Sequence, residues 1–443
     1  MIDIHDLNKE QVPKFLELIS ESLMRLLYTL LFYLLTPFVL FRLYWRGFKA
    51  PEYRKRWAER LAFYKNQYPQ NIIWIHAVSV GEAEAVFPLV KLLQNQYPND
   101  KFLVTTTTPT GSARVQVVLA DTVTHVYLPY DLPCVINRFL KAFKPKIAIV
   151  MEKEIWPNLY AGCEKNKIPL TIINARLSAN SAKGYKKIPA LVKPALNSVA
   201  WVATQTEEDK QRFIEIGAKE KYISAAGNLK FDVELDETIL EQAQKIKKST
   251  FANRFVWIIA STHDAEEVIF FDCYLQLKKQ IPELLLMIVP RHPERFETVK
   301  QLAEKKGLNT CMRSSREQCS DDIDVYIADT MGELKLLYGT ADICFVGGSM
   351  VPIGGHNILE PATMNIPIMF GPHMVNFKEI ARNVLDLDAA VQCADTQALI
   401  ETVLHFYSDE DYGRDMALKA KQFVQRNQGA TKKIAGLIAD ILN

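Results

Sequence analysis

Apolar and β-branched runs alternate with amphipathic stretches of helix length along most of this chain. The first series of runs is NIIWIHAVS (71–79), KFLVTTTT (101–108), THVYLP (124–129), IAIVME (147–152), LTIINA (170–175) and SVAWVATQ (198–205). A polar segment, 232–253, interrupts the rhythm, which resumes with FVWIIAST (255–262), LLLMIVPR (284–291), VYIAD (325–329), ICFVGGS (343–349) and IPIMFGP (366–372). Strands separated by helices predict βαβ units and parallel sheets. The simplest organisation is α/β: two doubly wound domains, 46–231 and 254–443, joined by a linker at 232–253 and facing one another across a cleft. Ligands of such sheets gather at the carboxyl ends of the strands, which directs the search for chemistry to the turns that follow them.

One segment breaks the pattern. From Leu26 to Phe41 there is no charged residue for sixteen positions, with Arg25 before and Arg42 after. That is short for a bilayer-crossing helix, which needs roughly 17 to 25 residues, although Leu23 and Met24 extend it if Arg25 snorkels. A spanning helix, an in-plane anchor and a buried helix of the first domain all fit the pattern. Arg42, Arg46, Lys49, Arg54, Lys55, Arg56 and Arg60 follow it, whereas Asp3, Asp6, Glu10, Glu17 and Glu21 precede it. Positive charge on the far side places the bulk of the chain in the cytoplasm, with 1–45 as extension and membrane anchor. Tyr28, Tyr33, Tyr44 and Trp45 favour an interfacial position, and nothing resembles a signal-peptide cleavage site.

Composition narrows the classes. At 443 residues the chain exceeds one typical core, and a net charge of +2 leaves no nucleic-acid footprint. Its seven cysteines never form CxxC, which excludes the usual zinc and redox spacings and suits a reducing compartment.

The strand-end turns hold the candidate chemistry. In GGSMVPIGGHNILEPA (Gly347 to Ala362) four glycines, 347, 348, 354 and 355, join a strand to a helix for which Asn357 is the expected N-cap. Backbone amides and a helix start facing one point suit a phosphate, although a plain strand-to-helix turn has the same composition. In SVGEAEA, Glu82 lies at a helix start, as a helix-stabilising acid or as a catalytic one. Glu152 closes a fully apolar strand and needs a partner or a task. Lys230 lies at the boundary between the halves, and Arg291 and His292 follow a strand where they suit a phosphate oxygen. Met331-Gly332-Glu333 forms another strand-end turn, and Glu360 is spaced to take a ribose hydroxyl. Asp321, Asp322 and Asp324 are the nearest approach to a metal-binding acid motif, in a loop where solvation explains them better.

SVGEAEA, TTTTPTGSARV, YLPYDLP, MEKEIWPN, NARLS, GNLKFD, PRHPERF, MGEL, GGSMVPIGGHNILEPA and GPHMVNF occur in an order that resembles bacterial 3-deoxy-D-manno-octulosonic acid (Kdo) transferases. The resemblance covers nearly the whole chain from about Leu23. It implies the GT-B fold, an inverting glycosyltransferase that moves Kdo from CMP-Kdo to lipid A precursor (lipid IVA) in lipopolysaccharide biosynthesis, and a place on the cytoplasmic face of the bacterial inner membrane. Carried over by residue, it makes Glu82 the base, gives Glu152 and Lys230 roles in supporting the transition state, and assigns the CMP site to Arg291, His292, Met331, Gly332, Glu333, Gly354, Gly355, Asn357, Ile358, Leu359 and Glu360. Lys153 stands where the family usually has Thr.

Direct displacement needs one base and a stabilised leaving group, so no protein-bound metal or other cofactor is expected. Other GT-B transferases or a nucleotide-sugar epimerase would share the glycine-rich donor loop. A membrane-tethered nucleotide-sugar sensor would keep that loop without needing Glu82.

Overall fold

A computed structural model of the chain describes residues 11–48, 50–233, 237–315 and 319–443. Asp3, Asp6, Glu10 and Lys49, and the stretch 234–236 of the expected linker, lie outside the described residues. The chain divides into two compact units, 1–232 with 429–443, and 233–428.

The first unit is built on seven parallel strands in the order β3-β2-β1-β4-β5-β6-β7. They are β1 (Ile73–His76), β2 (Phe102–Thr106), β3 (Thr124–Tyr127), β4 (Ile147–Met151), β5 (Leu170–Ala175), β6 (Trp201–Thr204) and β7 (Ile223–Ala225). The central β1, β2, β4 and β5 are buried along their whole length, as expected of a parallel sheet covered by helices on both faces. Trp74, Phe139 and Tyr160 fill one face, while Val86, Leu89, Ile149 and Ile434 fill the other.

The second unit repeats the architecture with seven parallel strands in the order β10-β11-β9-β8-β12-β13-β14. These are β8 (Phe255–Thr262), β9 (Leu284–Pro290), β10 (Thr310–Met312), β11 (Val325–Ile327), β12 (Ile343–Val346), β13 (Ile368–Phe370) and β14 (Val391–Gln392). Strand order reverses between β1 and β4 in one sheet and between β8 and β12 in the other. A ligand is expected at the carboxyl ends of those two pairs.

Two boundaries differ from the sequence reading. The polar segment 232–253 is no open linker: Glu237–Thr250 is a helix of the second unit that packs on Leu334–Tyr338. The second domain does not run to 443, because the last helix, Ala430–Leu442, packs on the helix Val80–Gln96 of the first unit. Ile434 and Ile438 join the first core, and Asp232 accepts the N–H groups of Gly429 and Thr431, fixing the start of the returning helix.

The apolar N-terminal segment is one helix, Gln11–Arg46, whose stretch Ile19–Arg46 is long and apolar enough to cross a membrane. Met24, Tyr28, Phe32, Thr36, Leu40 and Leu43 recur every three or four residues and, with Glu21 and Thr29, are its half-buried positions, forming a stripe along one face. That stripe is attached to the first unit. Tyr28 donates to Asp131 at 3.0 Å, the Asn158 side-chain amide donates to Thr29 at 3.1 Å, and Phe32 meets Trp156 edge-on. Leu34 and Phe38, on the other faces, are each 67% exposed.

Candidate active site

In the first unit, β1 leads through Ala77 and Val78 into the helix Val80–Gln96, whose N-cap is Ser79. The Glu82 N–H donates to Ser79 Oγ at 3.4 Å, and the Ser79 hydroxyl donates back to Glu82 Oε1 at 3.2 Å. This resembles a Ser-x-x-Glu capping box, with the return bond shifted by one residue: Glu82 Oε2 receives the Val78 N–H at 2.8 Å. The helix-start role is therefore realised. It does not leave Glu82 an ordinary carboxylate, however. Burial, then the charge of Glu152, push its pKa up to about 7, against the lowering effect of the Val78 bond.

Glu152 follows β4 across the point of strand reversal and holds a left-handed backbone with φ of 58°. Such a conformation strains a residue that bears a Cβ and is over-represented at functional sites. The Lys230 turn, Leu229–Phe231, comes back to the same end of the sheet and packs on the helix that carries Glu82. A closed circuit of hydrogen bonds fixes it. Asn174 Oδ1, at the end of β5, accepts the Leu229 N–H at 3.0 Å; Asn228 donates to Gln205 at 3.0 Å; and Gln205 donates to the Asn174 carbonyl at 3.0 Å. Glu82, Glu152 and Lys230 thus share one end of one sheet. The positioning task of Asn174 was invisible in the sequence, where NARLS stood out only as a family motif.

In the second unit the glycine loop is arranged differently from the expectation. The Gly347 N–H goes to the Ala260 carbonyl at 2.7 Å, and the Gly354 and Gly355 N–H groups both go to the Gly348 carbonyl, at 3.1 and 2.7 Å. The Gly348 N–H goes to Glu266 at 2.7 Å, so all four glycine amides are already engaged within the unit. Gly347 is required by close approach, since a Cβ there would lie 2.7 Å from the Ser261 carbonyl oxygen. The expected helix start is also weaker than supposed. Leu359–Thr363 is only five residues long, its N-cap is Ile358, and Asn357 Oδ1 accepts the Leu359 N–H at 3.0 Å. Asn357 also donates to Glu360 at 3.3 Å. The loop is therefore a rigid support rather than a cradle of free amides.

The side chains over that support supply the charge. Arg291 and His292, immediately after β9, are exposed, and the Arg291 guanidinium has no protein partner among the described residues. His263 directly follows β8 and His356 lies in the glycine loop, with their Nε2 atoms 2.8 Å apart and their rings parallel to within 4°. His292 meets His263 edge-on at 5.4 Å. Burial, then the charge of Arg291, hold the His356 pKa down to about 3, and burial followed by His292, Arg291 and Arg295 lowers that of His263. Sequence reasoning missed His263 and His356; His263 directly follows β8, which could have marked it, and His356 lies inside the glycine-rich run already singled out.

Met331, Gly332 and Glu333 follow β11, next to β9, with Met331 exposed. Glu333 is tied to Arg313 at 3.0 Å, and that hydrogen bond holds its carboxyl below the usual range. The acid motif is structural in part: Asp324 accepts from the Tyr274 hydroxyl at 2.7 Å and Asp322 from Ser320.

Two doubly wound units with strand reversals at β1/β4 and β8/β12 define the GT-B class of fold. A solved UDP-GlcNAc 2-epimerase from Neisseria meningitidis shares the fold, with a TM-score of 0.52 over 85% of this chain and 99% of that one, at 15% identity. Sequence comparison is more specific. A family model for 3-deoxy-D-manno-octulosonic-acid transferase (kdotransferase) matches residues 55–233. The 3-deoxy-D-manno-octulosonic acid transferase of Haemophilus influenzae is 38% identical, covering 94% of this chain and 99% of its own length. That of Bordetella pertussis is 32% identical over 84% of this chain and 87% of its own. The chain belongs to the Kdo transferase family.

Proposed function

We propose that this enzyme transfers Kdo from CMP-Kdo to a lipid A precursor, lipid IVA, at the cytoplasmic face of the inner membrane. The observation that carries the catalytic assignment is Glu82, a carboxyl raised to about 7 at the point of strand reversal. A base poised there is mostly ionised just above neutrality and still basic enough to accept a proton. The acceptor hydroxyl attacks the anomeric carbon of Kdo, Glu82 takes its proton, and the bond from that carbon to the CMP oxygen breaks. Glu152 and Lys230, at the same end of the sheet, support the charge that develops. Arg291 and His292 meet the departing phosphate, so the step needs no divalent ion. The Met331–Glu333 turn, Gly354 and Gly355 shape the CMP site, and Asn357 to Glu360 face the nucleoside, with Glu360 on the ribose.

The membrane assignment rests on the N-terminal helix. It is attached along its half-buried stripe and exposes Leu26, Leu30, Leu34, Phe38 and Trp45, so the reading favoured is an in-plane anchor rather than a span. Arg46 over Tyr53 and Arg54 over Phe48 provide a cationic and aromatic end suited to an interface. The test is mass spectrometry of the product from lipid IVA and CMP-Kdo, with a UDP-sugar as control. Addition of Kdo mass supports the proposal; transfer from the UDP-sugar alone, or none, overturns it.

A further inference from the structure

The ionisable groups at the carboxyl end of β8 and β9 are unbalanced. Arg291 and His292 come from the end of β9, Arg295 from the turn Pro293–Arg295, His263 from the end of β8 and His356 from the glycine loop. Glu294 in that turn is exposed to solvent, and the other three carboxylates on the elements around them, Asp264, Glu266 and Glu267, are engaged. Glu266 receives the N–H groups of His263, Gly348, Ser349 and Met350 at 2.7 to 3.1 Å, while Asp264 and Glu267 each pair with Arg295 at 2.7 and 2.8 Å. Among the described residues no carboxylate pairs with the histidine side chains, and the glycine amides are spent. Such a set of cations and rings suits an external anion.

The His263–His356 contact sets what happens when one arrives. At 2.8 Å, two Nε2 atoms form a hydrogen bond only when one proton lies between them. One ring therefore donates through Nε2–H, and its Nδ1 is free to take a second proton without disturbing that bond. That makes three protons on the two rings; a fourth, on the accepting Nε2, would set two N–H groups against each other, so the pair takes up one and no more.

We propose that binding of the donor's phosphate is coupled to uptake of one proton by the His263–His356 pair, which makes the pair part of the donor site. The inference rests on the donor-site reading above. The proton comes from solvent or buffer, moves to Nδ1 of the donating ring, and leaves an imidazolium facing the phosphate. Burial and the flanking cations keep both rings neutral in the free protein, and the anion reverses that balance. The bound pKa of the pair is then raised above its free value, so the extra affinity is complete below the free value and is lost as pH rises through the bound one. Between the two, CMP affinity changes by up to about tenfold per pH unit.

The test is calorimetric titration of the full chain with CMP near neutral pH, in buffers of differing ionisation enthalpy, with cytidine as the phosphate-free control. The slope of observed enthalpy against buffer ionisation enthalpy should read about one proton taken up with CMP and none with cytidine. His263→Asn and His356→Asn, checked for a cooperative melt, should each lose the uptake, which separates the pair from protonation of the CMP phosphate itself. CMP binding with zero slope in wild type overturns the coupling and leaves the donor site standing. Uptake unchanged in both variants overturns it as well, and failure of wild type to bind CMP overturns the donor-site reading along with it.

Discussion

Glu266 takes the Gly348 N–H at 2.7 Å on the same carboxylate oxygen that takes the His263 N–H at 3.0 Å. Its other oxygen takes Ser349 and Met350, so a single buried side chain ties the ends of β8 and β12 together at the point of strand reversal. Glu266→Gln would put an NH2 group where one oxygen stood and leave two N–H groups facing a donor. Each orphaned group costs about 1–3 kcal/mol, so a loss of about 2–6 kcal/mol in unfolding free energy and weaker CMP binding are expected. Denaturant melts and CMP titration check this; unchanged stability would show that the four bonds do not hold the loop.

Glu82→Gln keeps the N-cap, because Ser79 Oγ still takes the backbone N–H of residue 82 and the amide oxygen can still take the Val78 N–H. It removes the carboxylate proposed as the base. CMP affinity should stay near wild type while turnover falls by roughly 100-fold or more. Full turnover in the variant would take Glu82 out of the mechanism.

The acid limb of the pH profile should belong to the same group. With the Glu82 pKa raised to about 7, the base is protonated and idle below that value, so kcat/KM should rise as pH increases through about 7 and level off above it. Since the charge of Glu152 is the second cause of the shift, Glu152→Gln should move the limb to lower pH along with any loss of rate. A limb that stays fixed in that variant would separate the two carboxyls.

Arg291 should matter most as the sugar departs and the phosphate gains charge. Arg291→Ala ought to lower both kcat and affinity for CMP-Kdo, by a few kcal/mol in total, roughly 2–4. Arg291→Lys should recover only part, lacking the planar fork. Kinetics with magnesium and with chelator complete the comparison. Wild-type behaviour in both variants would exclude Arg291, and loss of wild-type activity on chelation would overturn the metal-free step.

The N-terminal helix should lie flat on the bilayer. Nitroxides at Leu26→Cys, Leu34→Cys and Phe41→Cys should report similar depths, within about 5–10 Å of the headgroup boundary. A spanning helix would instead separate the first and last by about 22 Å, at 1.5 Å per residue. Deleting residues 1–41 should release the protein from membranes and leave a folded, CMP-binding remainder. Absence of a cooperative melt would make the helix a part of the core.

The central strands of both sheets could be read directly from the chain, because a strand buried on both faces must be apolar throughout, as in β4 (IAIVM) and β9 (LLLMIVP). Glu82, Glu152, Arg291 and His292 were legible for a related reason: each interrupts an apolar run or follows one directly. The strands that escaped notice were β7, β10 and β14, only two or three residues long and all at sheet edges, too short for any periodicity to register. Composition marked the glycine loop but could not say where its N–H groups point. That depended on Glu266, more than eighty residues earlier in the chain, being buried against them. The return of Ala430–Leu442 to the first unit likewise depended on Asp232 and on a core face that exists only once the sheet has formed. Local pattern fixes what a segment must bury, and so determined the elements and the family of this protein; the meeting of His263 with His356, 93 residues apart, is set by strand order, which the sequence does not display.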